Sequence, residues 1–340
     1  MPSDPPRRRP SPVVAFLFIV GASVVVAGGF LLSAVAGQDK ESAARPEGAP
    51  LGRTDARGQQ GPEIVFQSAV RDDDYAHVAL TPVAPAGGQR TVTPLICERV
   101  HYAAGRGLCL NGEQGLIGPR FKVGIFDARF RKQKELTVPG ILSRARVSPD
   151  GRYGAVTGFV TGHSYADAGE FSTHTVLIDL ASGTKIADLE DFSATRDRRP
   201  FRAADVNYWG VTFSKSGGRF YATVRTGDRT FLVEGDVSTR EVRVLRENVE
   251  CPSLSPDGDR IAYKKRVNDG AVIWRLHVLD LETMRDTPLA EDQMVDDQAE
   301  WLDDDEVLYG LSGSTWAVRA DGTGAPRKVL DGGLSPAVIR

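Results

Sequence analysis

Four polar residues stand at even spacing ahead of two similar turns: Arg144 and Arg146 before Ser148, and Gln298 and Glu300 before Leu302. In an extended chain, residues two apart share a face. Each pair therefore points one way, and two cations opposed to an amide and a carboxylate would form a polar-ligand or peptide site. The same four residues could equally be consumed in salt bridges between neighbouring elements. A shift of one residue in register would turn the whole set to the other face.

The remaining reactive side chains form no catalytic constellation. Cys97 and Cys109 flank a turn at Ala103–Gly105. Their spacing allows a cross-strand disulfide, which would stabilise by about 3 kcal/mol; the alternative is a pair of buried small apolar residues. Cys251 is far from both and is expected as a buried free thiol. His77, His101, His163, His174 and His277 show no metal-ligand spacing such as H-x-x-x-H. His77, His174 and His277 fall in predicted strands and read as structural. Gly162-His163-Ser164-Tyr165-Ala166 lacks the last glycine and the strand–turn–helix setting of a nucleophile elbow. The acid runs Asp72–Asp74, Asp296–Asp297 and Asp303–Asp305 read as solvated turns. No cofactor is expected; if a metal binds, these carboxylates suit calcium, although they lack EF-hand spacing.

Something must hold these residues, and it is a repeat. A strand, a tight turn and a second strand recur from Pro62 onward. The turn is Ser148-Pro149-Asp150-Gly151 and Ser255-Pro256-Asp257-Gly258, with degenerate copies at Ser214–Gly217 and Leu302–Asp305. Pro presets φ, Asp accepts local backbone hydrogen bonds and Gly takes the positive-φ position. A second hairpin follows, its first strand ending in Asp127, Asp179, Asp236 or Asp280; the last copy has Arg319 instead. Turn spacings are 66, 41 and 47 residues. The long first interval places surplus residues in two expected loops, Thr161–Ser172 and Ser193–Asp205. A period of about 40–45 residues with four strands per unit predicts a β-propeller. Five units start near Ile96, Leu142, Tyr208, Cys251 and Ala299. Three strands precede them (Glu63–Gln67, Tyr75–Thr81, Arg90–Thr93) and one follows (Leu334–Ile339). Joining these ends gives an all-β, six-bladed β-propeller over 62–340, closed by the C-terminal strand, with the four polar residues lining its channel.

The SPDG turns and Asp-ending strands resemble the TolB-like propeller family, whose blades are similar to WD repeats. The chain is also similar to exported TolB-like propellers of high-GC Gram-positive bacteria. The resemblance implies a propeller, export and an interaction role. TolB carries an α/β domain ahead of its propeller that binds inner-membrane partners; this chain has only a linker there, so that role does not transfer.

The N-terminal part is an address. Residues 1–12 form a basic tail with Arg7, Arg8 and Arg9. Val13–Ala36 has no charge, and as a helix it would span about 36 Å, enough for a hydrocarbon core of about 30 Å. The arginines keep the N-terminus cytoplasmic and place the propeller outside. Two readings stand: a transmembrane anchor, or a signal peptide cut at Ala36–Gly37 after Ala34-Val35-Ala36. Residues 37–61 have no aromatic, Val or Ile and read as a flexible linker. Beyond Ala36, 39 basic residues face 44 acidic ones, which excludes nucleic acid as the expected partner and gives no overall attraction to anionic lipid.

These features predict a monomeric, non-enzymatic scaffold, on the membrane or secreted, that binds a protein or an envelope component. The alternatives are a propeller lyase, hydrolase or lactonase with a channel-bound metal, or a small-molecule sensor.

Overall fold

The computed structural model describes residues 61–84, 89–116, 118–166, 171–269 and 272–340. The tail, the apolar segment 13–36 and nearly all of the linker lie outside them. Among the described residues no helix is long and apolar enough to cross a membrane.

Six antiparallel blades follow one another in the chain. Blade 2 runs from the axis outward as Arg99–Ala103, Arg106–Gly115, Gly118–Asp127 and Lys132–Pro139. Blade 3 begins with Ile141–Val147, blade 4 with Asn207–Phe213, blade 5 with Glu250–Leu254 and blade 6 with the short Glu300–Trp301. Blade 1 is assembled from both ends of the ring. Its innermost strand is Gly333–Ile339, which pairs antiparallel with Glu63–Ser68, Val65 opposite Ala337. The innermost strands touch in a closed circle. With Gly333–Ile339 in place, Glu63–Ser68 is paired on both of its edges.

The repeat turn forms as its residues dictate. Gly151 N–H donates to Ser148 O at 2.8 Å, with Gly151 at φ +68°. Ser148 Oγ accepts Tyr153 N–H at 2.9 Å and itself donates to Asp150. Ser255–Gly258 repeats this arrangement. Asp179, Asp236 and Asp280 each use a carboxylate oxygen to accept backbone N–H groups two or three residues on. Where Arg319 breaks the pattern, Asp321 takes over, accepting Thr323 N–H at 2.9 Å.

Alternation along the strands sends apolar side chains to both faces of each sheet, where they meet the next blade. The result is six apolar clusters, one per gap between blades. A seventh, built on Phe159, Tyr165, Phe171, Trp209, Cys251 and Trp274, lies at one end of the channel.

One expectation is corrected. Ser193–Asp205 is not a loop throughout. Ser193–Arg196 pairs in parallel with the outer strand of blade 4, Glu241–Glu247, and turns back through Arg199–Pro200, so blade 4 has six strands. Only Ala194 and Phe201 carry an apolar pattern in this segment, and its partner strand lies 48 residues further along the chain.

Ring closure predicts that removing residues 333–340 exposes the edge of Glu63–Ser68 and opens two inter-blade clusters. The expected result is loss of a single cooperative melting transition, or a fall of at least about 10 °C, read by circular dichroism and differential scanning calorimetry.

Candidate functional site

Arg144, Arg146, Gln298 and Glu300 all reach the channel, and most of their polar atoms are turned on neighbouring chain groups. Arg146, in blade 3, ion-pairs with Glu300 of blade 6 directly across the axis. The same guanidinium donates to Ala299 O at 3.0 Å and to Ser253 Oγ at 3.4 Å. Gln298 Nε2 donates to Val211 O and Pro252 O at 3.2 and 3.0 Å, tying blade 6 to blades 4 and 5. Arg144 donates to Asp296 O at 2.7 Å, and Arg99 to Asp297 at 3.3 Å. The even spacing therefore finds the right face, and the interblade salt-bridge reading describes Arg146 and Glu300.

His101 of blade 2 completes the centre. Val147 N–H donates to its Nδ1 at 3.1 Å, which leaves Nδ1 unprotonated. The proton is then on Nε2, which donates to Glu300 at 3.3 Å. Arg146 Nη1 lies 3.0 Å from that same nitrogen as a close neighbour. Burial, then the adjacent Arg146 charge, lower the His101 pKa and keep the ring neutral. Burial alone would raise the Glu300 carboxyl; Arg146 and His101 outweigh it and hold the carboxyl at about 2. The group thus presents a fixed carboxylate and a neutral imidazole, neither poised to exchange a proton near neutral pH. The cavity between Arg99, His101, Arg144, Arg146, Gln298 and Ser335 has a volume of about 20 Å³, room for one water.

The end of the channel nearest Arg144 is capped by Tyr165, Lys264 and Arg266. Tyr165, from the expected loop Thr161–Ser172, bonds Ser143 Oγ at 2.7 Å and stacks on Trp209 with centroids 5.0 Å apart. Lys264 is fully buried, 4.2 Å from the Trp274 ring centre, and pairs with Asp296 at 2.8 Å. Arg266 pairs with Glu250 at 3.1 Å and donates to Tyr165 O at 3.1 Å. Asp296 and Asp297 are therefore partners of channel cations, a correction to the solvated-turn expectation. The lysine directly after the apolar strand start Ile261–Tyr263 is the available signal.

Other expected residues are placed as follows. Cys97 and Cys109 are joined, Cα atoms 5.2 Å apart, with Cys97 between the last strand of blade 1 and the first of blade 2. Cys251 is buried and free. It faces Gly210 so closely that a Cβ there would lie 2.6 Å from the Cys251 Cα, and both residues have positive φ. His77, His174 and His277 bond Thr93 O, Asp188 and Asp286. Asp72 and Asp303 accept backbone N–H groups within their own turns.

Comparison with solved structures identifies the same architecture. TolB from Acinetobacter baumannii aligns with a TM-score of 0.54 at 15% identity, covering 82% of this chain and 67% of that one. A chain of a nidogen/laminin complex aligns with a TM-score of 0.55 at 11% identity, covering 82% of this chain and 98% of that one. A putative TolB from Agrobacterium tumefaciens aligns with a TM-score of 0.48 at 14% identity, covering 82% of this chain and 92% of that one. No protein-family model and no curated protein matches the sequence. The resemblance read from the SPDG turns thus holds in three dimensions, as a likeness of fold.

The Glu300 carboxyl sets a pH dependence with a definite sign. Its folded pKa lies below the ordinary 4.5, at about 2. The stabilisation is complete above pH 4.5 and is lost as pH falls towards 2, about 3 kcal/mol in all. Glu300→Gln should flatten that part of the stability–pH curve. Arg146→Met alone should cost about 3–5 kcal/mol by stranding Glu300, and Arg146→Met with Glu300→Leu should recover most of it, all read by denaturant titration.

Proposed function

We propose that this chain is an exported, membrane-tethered, non-enzymatic propeller that binds a protein of the cell envelope through one face of the ring. What carries the reading is the unequal chemistry of its two faces. One face gathers the SPDG turns and the Asp-capped second turns, which are polar and bonded to themselves. The other gathers the loops joining the middle strands and those leading into each innermost strand. Val70, Tyr75, Ile96, Leu116, Val160 and Met294 are exposed on this second face. Among the described residues, Met284 is the large apolar side chain exposed on the turn face. Exposed Asp72, Asp73, Glu98 and Asp292 interleave with the loop-face set. An apolar surface edged with acids suits a partner segment that is both apolar and basic.

Three further points support this reading. The axis is filled by its own ion pairs, so a ligand larger than water has no place there without breaking them. The described polypeptide enters the ring at Glu63 on the turn face, opposite Ile339, and not on the loop face. A chain of similar fold belongs to a nidogen/laminin complex, an example of this architecture in a protein assembly. Export follows from the uncharged segment 13–36 behind Arg7–Arg9, and a bonded Cys97–Cys109 pair suits an oxidising compartment.

The test is site-specific photocrosslinking in cells. Probes at Tyr75 and Leu116 should yield one common adduct, and a probe at Glu282 on the turn face should not. Adducts from Glu282 alone, or none from any site, would overturn the reading.

The staple gives an independent check of compartment. Protein taken from cells under acid quench should leave Cys97 and Cys109 unlabelled by a thiol reagent until reduced, and reduction should lower stability by about 3 kcal/mol. Free thiols at both positions in the native extract would contradict export.

A further inference from the structure

The added hairpin on blade 4 carries an unusual tip. Thr195 pairs with Pro200 and Arg196 with Arg199, leaving Asp197 and Arg198 as a two-residue turn. Both have positive φ, +50° and +64°. The chain makes this kind of turn elsewhere with glycine in second place: Ala104-Gly105 between Ala103 and Arg106, and Ser312-Gly313 between Leu311 and Ser314. Glycine is the unstrained choice there. At the added hairpin an arginine occupies the strained position instead. Strain kept at an exposed tip, where packing does not require the side chain, points to a role for that side chain.

Its neighbours share its charge. Arg198, Arg199 and Arg202 are exposed, and among the described residues none forms an ion pair. This contrasts with the surface arginines of the adjoining strands, where Arg229 pairs with Glu247 and Arg243 with Glu234. Arg196 lies over the Phe231 ring at 5.1 Å and is 4.0 Å from Asp197. Over 196–202 four guanidinium groups stand against one carboxylate, Asp197, with Glu247 of the adjoining strand near Arg196 as a second, so the tip is locally basic although the chain beyond Ala36 as a whole is acidic.

We propose that this tip docks on the phosphate groups of anionic lipid in the membrane that tethers the chain. The inference rests on the tethering part of the function proposed above. Lipid is favoured over a polypeptide for two reasons. Pro200 has no N–H, so the outermost strand is a poor template for a partner strand. Phe201 is turned inward against Phe231, centroids 5.7 Å apart, so the tip offers no apolar anchor of the kind protein partners need. Read as a linker from its composition, the 25-residue stretch 37–61 would have a root-mean-square span of about 25–30 Å, which would raise the effective concentration of the lipid surface. The hairpin stands on the outer rim, so its contact leaves the loop face free.

The experiment uses the full chain in nanodiscs of phosphatidylcholine, with and without about one-third phosphatidylglycerol. Hydrogen exchange of the backbone amides at 195–199 is the readout. The expected result is exchange about fivefold slower in the anionic discs, lost at high salt and lost in the triple variant Arg198→Gly, Arg199→Gln, Arg202→Gln. Arg198→Gly alone should raise the melting temperature by relieving the turn while weakening the lipid effect. Equal exchange in both discs, with the chain retained at high salt, would overturn the docking and leave the tether standing. Equal protection by added polyglutamate in phosphatidylcholine discs would assign the tip to an acidic polypeptide and overturn the lipid reading. Release of the chain from both discs by salt would remove the tether and the docking with it.

Discussion

Pairing between Gly333–Ile339 and Glu63–Ser68 is the constraint on which the interior depends. Once the two ends share a sheet, six innermost strands must converge on one axis, and their inward side chains have nowhere to go but towards each other. Several of these strands bend through residues with positive φ: Gly210, Cys251 and Ser335. Such bulges are the ordinary means of turning a strand without ending it. Convergence leaves a volume too small for solvent to screen charges, so any charge placed there must meet its opposite. Arg146 meets Glu300 across the axis, and Gln298 joins three blades through two backbone carbonyls. A buried pair of this sort adds little net stability over an apolar filling. Its effect is on register: a blade displaced by one strand position would leave a charge unpaired.

Much of this was legible because turn chemistry and strand periodicity are local. Pro, Asp and Gly at fixed offsets leave few conformations open, so the SPDG turns could be read from four residues each. The missing Asp at Arg319 looked like a defect, yet Asp321 performs the same backbone capping two positions later; the role survives although its position moves. Period two was enough to put Arg144, Arg146, Gln298 and Glu300 on one face. It could not say whether they would bind a ligand or each other, because that depends on the channel diameter, a property of all six blades together.

The features that escaped the sequence are those made by distant contacts. Tyr165 reads as a loop residue until Ser143, Trp209 and Arg266 surround it. Lys264 and Asp296 are 32 residues apart in the chain, and the fold brings them to 2.8 Å. The added hairpin has short strands and pairs in parallel with a later segment. Parallel pairing carries no turn signature, and two apolar residues are too few to establish a period.

A closed axis changes what the rest of the molecule must do. Where a propeller keeps an open channel, the convergent residues are the natural site. Here they hold one another, and the variation that remains is at the margins: the loop face, the turn face and the rim. These margins are chemically distinct. On the turn face, Asp179, Asp236, Asp280 and Asp321 accept backbone N–H groups of their own turns. The loop face combines exposed apolar groups with acids. The rim hairpin has an arginine excess and a strained residue where the same chain elsewhere uses glycine. A ring whose centre is filled by its own ion pairs can present such surfaces at fixed angles.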